Sequence, residues 1–388
     1  MSRCRHPRLN QIRVVVDDDA VAELRARLGR TRLAPALGTG WDRGAPRAWL
    51  EELLDDWRDF DVPGFQAQLD ELPHFHTVLD GQLVHAVCVE GTGPRPVPLL
   101  LAHGWPGSFL EYLKLIPLLT AADETTGLSF TVIIPSLPGF GFSGPPPPEG
   151  LGARQTATLF HRLVHDEFGW DRYVAHGSDL GAGVVAWLAR DHPAHVCAIH
   201  LATPGLSVPE QGRSEPERQF AHAVATWSAE EGGYLHEHAT KPGTLAAALS
   251  DSPAGLAAWI GEKIVAWSSQ RPDKTPSFDR ELLLSTLTLY WTTNTIASSL
   301  LPYWAYRHGD GALPVDSPSP VPTAVTIFGG ERVPFPKPPR ELAERYYTVT
   351  AWREYATGGH FPAVAEPDTL AEVLRQAFSG RIAAHVGE

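Results

Sequence analysis

The stretch "RYVAHGSDLGAGVVAWLA", residues 172–189, decides the fold of this chain. An apolar strand pattern passes directly into a helical pattern through the pentapeptide "GSDLG", residues 177–181. This is the small-x-nucleophile-x-small pattern of an elbow, a crowded turn that presents its middle side chain at the end of a strand. We therefore predict that Asp179 stands out from the sheet beside the amino end of the following helix.

Two other interpretations of the pentapeptide have to be weighed. Ser178 would have His176 and Leu180 as its flanking residues, and both are too large for an elbow. Asp179 could instead cap a helix that begins near Ala182, since aspartate is favoured at helix amino ends. The pentapeptide alone does not separate this capping role from a catalytic one.

Short apolar runs alternate with helical patterns around the pentapeptide. "VPLLLAHG" (97–104) and "FTVIIPS" (130–136) have the continuous apolar character of strands buried on both faces. Helices are predicted from about Ser108 and from about Arg154. Such alternation predicts an α/β fold with a mostly parallel sheet flanked by helices.

The alternation is interrupted between about Thr203 and Leu313 by a helical stretch rich in Trp, Ala and Pro, which we interpret as a lid. "PTAVTIFGG" (322–330) then resumes the sheet, "YTVTAWREY" (347–355) is a further strand, and "PDTLAEVLRQAF" (367–378) is the last helix. The predicted core is therefore discontinuous in sequence.

The chain before the first core strand has a different pattern. "DDDAVAELRARL" (17–28) and "APRAWLEELLDDWRDF" (45–60) have helical apolar spacing, with Asp17 or Asp18 as a cap of the first helix. "PHFHTVLDGQLVHAVCVEG" (73–91) alternates like a hairpin around "DG". We expect four segments: an N-terminal segment (1–95), a first core part (96–203), a helical lid (204–313) and a second core part (314–388).

Composition limits the class of function. With 388 residues, 43% of them hydrophobic, the chain can bury a large core, and its net charge of -13 argues against nucleic-acid or anionic-membrane partners. Cys4, Cys88 and Cys197 lack the spacing of a zinc site or a disulfide framework, which fits a reducing cytoplasm. The N-terminus contains no apolar run long enough for a signal peptide or membrane anchor.

Three further positions fit an α/β-hydrolase with an elbow nucleophile. "HGWPGS" (103–108) follows a strand where this fold places one oxyanion donor, so the backbone N–H groups of Trp105 and Leu180 are predicted to form the oxyanion hole. A simple Gly-Pro turn is the alternative for this motif. His360 lies in a glycine-rich loop after the last strand, where the catalytic base of such a triad is expected.

The acid that orients His360 is predicted to be Glu331, the first carboxylate after the penultimate strand. Glu341 and Glu344 lie on the following helical pattern and have the character of solvated surface residues.

With these residues in view, the chain resembles the microsomal-type epoxide hydrolase family from Trp49 to Phe378. The similar stretches are "ELPHFHTVLDG", "HGWPGSFLEYLKLIPLL", "SLPGFGFS", "GGYLHEHATKPGTLAAALSDSPAGLAAWIGEK", "LTLYWTTNTIASS" and "GGHFPAVAEP". The resemblance implies an α/β-hydrolase fold with a helical lid and an N-terminal segment. It also implies that two lid tyrosines, Tyr234 and Tyr303, hold the epoxide oxygen, although aromatic residues otherwise serve mostly in packing.

The chain departs from the family pattern in three respects. Ser178 and Leu180 replace a glycine and a tryptophan that are common in the elbow of family members. Pro338 stands where the animal enzymes have their glutamate, so Glu331 depends on its place after the strand. The membrane anchor of animal relatives is missing, which suggests a soluble, bacterial-type member.

The expected activity is hydrolysis of a hydrophobic epoxide to a vicinal diol through a covalent ester on Asp179, in biosynthesis or detoxification. A haloalkane dehalogenase also uses an elbow aspartate, and an inactive binding protein on the same fold is a second alternative.

No cofactor is expected, because "GFGFSG" (139–144) is followed by prolines instead of a helix. The pairs His74/His76 and His236/His238 lack a third ligand for a metal ion. The expected partners are the epoxide and water, and a homodimer stays open.

Overall fold

The structure is a computed structural model that describes residue 9 and residues 11–210, 212–309 and 312–380. Within these residues, nine strands form one sheet: β1 (Gln11–Ile12), β2 (His74–Leu79), β3 (Gln82–Val89), β4 (Val97–Ala102), β5 (Phe130–Pro135), β6 (Tyr173–Ser178), β7 (Val196–Ala202), β8 (Ser319–Gly329) and β9 (Tyr347–Gly358). Their order across the sheet is β1-β2-β3-β5-β4-β6-β7-β8-β9. The neighbouring strands from β5 to β9 are parallel, so the prediction of a mostly parallel sheet is confirmed.

Helices cover both faces of this sheet and fill the long connection between β7 and β8. They are α1 (Asp18–Leu28), α2 (Arg47–Arg58), α3 (Val62–Asp70), α4 (Leu115–Thr120), α5 (Ala153–Arg162), α6 (Leu180–Asp191), α7 (Glu215–Glu231), α8 (Gly233–Thr240), α9 (Pro242–Asp251), α10 (Pro253–Trp267), α11 (Arg280–Thr293), α12 (Ile296–Ser299), α13 (Leu301–His308), α14 (Arg340–Glu344), α15 (Pro362–Ala365) and α16 (Pro367–Phe378). None of the described helices combines the length and the apolar character that a membrane span requires.

The N-terminal part adds strands to the same sheet. The predicted hairpin forms with a two-residue turn in which Asp80 and Gly81 have φ angles of 50° and 83°, the positive values that such a turn needs. Strand β3 then pairs antiparallel with β5, so the hairpin extends the core sheet. Asp17 is the residue that caps α1, because its side chain accepts from the N–H groups of Asp19 and Ala20.

The central strands are buried on both faces. Every residue of β4 and β5 is buried, which explains their continuous apolar sequences. Helices α5 and α6 belong to the apolar cluster on one face, while α4 and α16 belong to the cluster on the other. Burying each leucine of β4 contributes about 2 kcal/mol, so the sheet is a stiff base for the loops at its edge.

Two predicted helices begin elsewhere than expected. The helix expected near Ala182 begins at Leu180, directly after the strand, because the backbone reverses at a single residue, Asp179. The helix expected from about Ser108 is a short 3₁₀ turn, Phe109–Tyr112, followed by α4. Both differences shorten the connections at the carboxyl ends of β4 and β6, where the candidate site lies.

Candidate active site

The pentapeptide "GSDLG" forms a tight elbow between β6 and α6. Asp179 has φ 52° and ψ −126°, a strained combination for a residue with a side chain. A Cβ added at Gly181 would overlap the carbonyl oxygen of Ala102, and one added at Gly177 would overlap that of Gly181. The two glycines therefore allow the close approach that holds Asp179 in this conformation.

The Asp179 carboxylate does not cap the helix that it precedes. Its side chain makes no capping hydrogen bond to α6. Instead, Oδ1 accepts from the backbone N–H of Trp105 at 2.9 Å, and Oδ2 lies 3.4 Å from Nε2 of His360. The capping interpretation is therefore wrong, because both oxygens face the loop after β4 and the histidine.

One of the two predicted oxyanion donors contacts this carboxylate, and the other belongs to the residue that follows Asp179 in the chain. The N–H of Trp105 already points at Oδ1 of Asp179. Leu180 is the first residue of α6, so its N–H has no acceptor within the helix. Oxygen bound to the Asp179 carboxyl carbon can therefore lie near both groups, and the positive end of the α6 dipole favours negative charge there.

His360 is enclosed by aromatic side chains. Its side chain is only 3% exposed, and its ring centroid lies 5.0 Å from that of Trp267 and 5.1 Å from that of Phe335. The preceding Gly359 has φ 62°, and a Cβ there would press on the backbone of Ser269. The glycine-rich loop thus lets the histidine approach the lid segment that follows α10.

The backbone of the predicted acid, Glu331, lies close to that of His360, but the two residues form no hydrogen bond. Glu331 forms a β-bridge with Ser269, while the N–H of His360 donates to the carbonyl of Trp267 at 3.0 Å. Within the described part of the chain, Nδ1 of His360 is buried and has no hydrogen-bond partner. Glu331 is half-buried, and this burial raises the pKa of its carboxyl, an effect that the charges of His360 and Lys337 oppose.

The two other carboxylates considered for this role are engaged elsewhere. Glu341 accepts a hydrogen bond from the hydroxyl of Ser214, and Glu344 forms an exposed ion pair with Arg340 at 2.8 Å.

Both predicted lid tyrosines border the elbow. Tyr234 and Tyr303 are each 7% exposed, and their ring centroids are 6.2 Å apart. The Trp105 ring stacks on Tyr234 at 5.5 Å and meets Tyr303 edge-on at 6.2 Å. Burial raises the pKa of both phenols well above 10, and the Asp179 charge raises it further, so both remain neutral donors.

Glu111, whose carboxyl is buried next to this site, was not among the residues predicted from the sequence. Its exposure is 5%, and a Cβ at Gly107 would overlap its Oε1 atom, so the carboxyl lies against the loop that carries Trp105. Burial and the nearby Asp179 charge raise the pKa of Glu111 well above the ordinary value of a glutamate. The available signal was a glutamate inside the apolar run "SFLEYLKLIPLL".

The two His-x-His pairs form no metal site. His238 is fully buried and accepts from the indole N–H of Trp259 at 3.1 Å, whereas His236 is exposed. Burial lowers the pKa of His238 to about 3, with Lys263 adding to the effect. His74 lies 2.8 Å from a nitrogen of His85. Packing and surface roles therefore account for these histidines.

Comparisons with known proteins identify the family. Residues 9–112 match the family model "Epoxide hydrolase N terminus", and residues 97–273 match "alpha/beta hydrolase fold". A Stigmatella aurantiaca (strain DW4/3-1) protein named "Putative epoxide hydrolase" is 37% identical over 380 residues, covering 95% of this chain and 84% of that protein.

Two solved structures are similar over nearly their whole length. The juvenile hormone epoxide hydrolase of the silkworm Bombyx mori has a TM-score of 0.83 at 29% identity, covering 97% of this chain and 94% of that one. The Aspergillus niger epoxide hydrolase has a TM-score of 0.82 at 28% identity, covering 95% of each chain. The chain therefore belongs to the epoxide hydrolase family, on the α/β-hydrolase fold.

Proposed function

We propose that this enzyme converts a hydrophobic epoxide to a vicinal diol through a covalent ester on Asp179. The observation that carries the proposal is the position of the Asp179 carboxylate, held by the Trp105 N–H at 2.9 Å with His360 3.4 Å away. An epoxide carbon is saturated, so a carboxylate can displace the ring oxygen from its back side.

In the first step, one oxygen of Asp179 forms a bond to a ring carbon while the carbon–oxygen bond of the epoxide breaks. The bond's electron pair stays on the departing oxygen, which takes a proton from Tyr234 or Tyr303. Neutral phenols suit this task because they donate a hydrogen bond before the oxygen becomes charged. The product is a hydroxyalkyl ester.

In the second step, His360 takes a proton from a water molecule, and the resulting hydroxide attacks the carboxyl carbon of Asp179. The negative charge that develops on the carbonyl oxygen is stabilised by the N–H groups of Trp105 and Leu180, and one such donor is typically worth about 3 kcal/mol. The ester bond then breaks, and the diol oxygen takes the proton from His360. The proton that remains on the Asp179 carboxyl returns to the phenolate formed in the first step, so Asp179 regains its charge. Glu331 is proposed to balance the positive charge of His360.

The substrate is proposed to be a bulky apolar epoxide. The rings of Trp105, Trp267 and Phe335 lie next to one another beside the Asp179–His360 pair and offer aromatic surface to a ligand.

Hydrolysis of styrene oxide, an aryl epoxide, tests the role of the phenols. Tyr234→Phe and Tyr303→Phe should each reduce kcat/KM for the epoxide by about 10²-fold, because each removes one donor to the departing oxygen. Tyr306→Phe is the matched control, since that phenol is 56% exposed, and it should leave the rate unchanged. Unaltered diol formation in the double Phe variant would contradict this role.

The same variants address the dehalogenase alternative. A chloride leaving group needs no proton, so a haloalkane would be consumed equally well without the phenols. We expect no halide release from 1-chlorohexane by the wild-type enzyme. Halide release that survives both Phe substitutions would favour the dehalogenase instead.

Glu111 is proposed to help in the second step. Once Asp179 is esterified, its negative charge is gone and no longer raises the pKa of Glu111. Glu111→Gln should therefore slow ester hydrolysis about tenfold and leave ester formation unchanged, as pre-steady-state kinetics would show. An equal loss in both steps would identify Glu111 as a packing residue only.

A further inference from the structure

Three side chains that can bind a metal ion meet at the edge of the sheet opposite to Asp179. His165, Asp171 and His195 each place a ligand atom within 4.8 Å of the other two. Asp171 lies just before β6 and His195 just before β7, at the amino ends of these strands. Asp179 follows the carboxyl end of β6, about 20 Å away at the usual rise per strand residue. This cluster is therefore separate from the candidate active site.

We propose that His165, Asp171 and His195 form a binding site for a divalent transition-metal ion of the Zn²⁺ type. Imidazole nitrogen and carboxylate oxygen are the ligands that such ions prefer after thiolate. Two histidines and one carboxylate supply three ligands, so a water molecule would complete a tetrahedral shell.

The distances between the ligand atoms fit one ion. Nε2 of His165 lies 3.6 Å from Oδ1 of Asp171, and Nδ1 of His195 lies 3.3 Å from the same oxygen. Ligands bonded at about 2.0–2.2 Å in a tetrahedron are separated by about 3.3–3.6 Å. These two distances between ligand atoms therefore need to change little when the ion binds.

The neighbouring residues orient the first histidine. Nδ1 of His165 lies 2.8 Å from Oδ1 of Asp166, which leaves Nε2 directed toward Asp171. A carboxylate behind a ligand histidine is a common arrangement in metal sites, because it fixes both the tautomer and the ring position. Both residues lie on a π-helical turn, Leu163–Glu167, a distortion that is often found at functional sites.

Other imidazole rings pack behind the site. His161 stacks on His192 with centroids 3.8 Å apart, and His161 lies 5.2 Å from His165. Nδ1 of His161 is 3.1 Å from the Tyr173 hydroxyl, which fixes this ring against β6. Asp166 also faces Arg162, with 3.4 Å between the Oδ2 and Nε atoms.

Binding of the ion would change one hydrogen bond of His195. Nδ1 of His195 lies 2.8 Å from the backbone carbonyl of Asp171, so its proton is engaged there. Binding through Nδ1 requires the neutral tautomer whose proton lies on Nε2, so this hydrogen bond would break when the ion binds. The site is accessible, since the side chains of His165 and His195 are 34% and 30% exposed and that of Asp171 is 78% exposed.

The ion would connect three segments of the chain. These are the π-helical turn after α5, the loop before β6 and the turn before β7. Because β6 leads into the elbow, the ion would stabilise the base of the strand that carries Asp179, with no part in the reaction itself.

The test uses the full chain, purified without a histidine tag and treated with a chelator. Titration calorimetry with Zn²⁺ should give one ion per chain with a Kd at or below about 10 μM, and a hundredfold excess over Kd should raise Tm by about 3 °C or more. Co²⁺ should give the intense visible absorption of a tetrahedral ion.

Variants identify the ligands. Asp171→Asn, His165→Gln and His195→Gln should each raise the Kd at least about tenfold. His222→Gln, an exposed histidine of α7, is the matched control and should change nothing. Diol formation should stay within twofold of wild type in Asp171→Asn, so this test succeeds or fails independently of the proposed function.

Three outcomes would overturn the proposal. They are the absence of a 1:1 complex at 100 μM Zn²⁺, a complex that survives all three ligand substitutions, and an equal loss of binding in His222→Gln.

Discussion

Asp179→Asn should reduce kcat/KM for epoxide hydrolysis by about 10⁴-fold or more, because an amide cannot displace the ring oxygen. Asparagine is the appropriate substitution at this position, since Asp179 has φ 52° and asparagine tolerates positive φ better than alanine does. The elbow should therefore keep its shape, and an unchanged Tm would verify this. Asparagine that deamidates restores aspartate, so any slow return of activity should coincide with a mass increase at this residue.

Isotope labelling separates covalent catalysis from direct attack by water on the epoxide. During a single turnover in ¹⁸O-labelled water, the diol from wild-type enzyme should carry no label, and the heavy oxygen should appear in the peptide that contains Asp179. This follows because water attacks the carboxyl carbon of the ester, so the diol receives an oxygen that belonged to Asp179. Label in the first diol together with an unlabelled peptide would contradict the ester mechanism.

The elbow and the sheet could be predicted from sequence because both depend on local rules. Alternating apolar runs and helical patterns predicted the parallel strands, and the glycines of "GSDLG" predicted a turn that larger residues would block. The start of α6 was harder to place, because the strained φ of Asp179 lets the helix begin at once. Propensity rules assume that a residue avoids such a conformation.

Contacts between distant segments could not be predicted in the same way. The buried environment of Glu111 arises because its carboxyl fills the space left by Gly107, a packing detail without a periodic signal. His165, Asp171 and His195 lie on three separate segments with no short-motif spacing. His-x-His spacing therefore gives no sign of this cluster, since the fold brings its members together from separate segments.

The position of Glu331 shows a further limit of sequence reasoning. Its place after β8 predicts a carboxylate near His360, and the β-bridge to Ser269 brings the two backbones to the same lid segment. Whether a carboxylate and an imidazole share a proton depends on side-chain rotamers, which strand order does not specify. The buried Nδ1 of His360 lacks an acceptor among the described residues, so the orienting role of Glu331 stays a prediction.

His360→Gln should separate the two halves of the reaction. Glutamine cannot take a proton from water, but ester formation on Asp179 needs no base, so one equivalent of epoxide should be consumed in a burst and then turnover should stop. We expect steady-state diol formation to fall by about 10⁴-fold, the upper range for loss of a general base. Mass spectrometry of the intact chain should show one added epoxide mass, located on the peptide that contains Asp179.

Glu331→Gln should slow diol formation less than His360→Gln does. If Glu331 balances the charge of His360, its loss should slow ester hydrolysis by about 10- to 100-fold, because the positive charge that His360 gains from water is then less well stabilised. Glu344→Gln is the matched control, because that carboxylate pairs with Arg340 on the surface. A His360→Gln variant that consumes no epoxide would place His360 in the first step, since the ester would then fail to form at all.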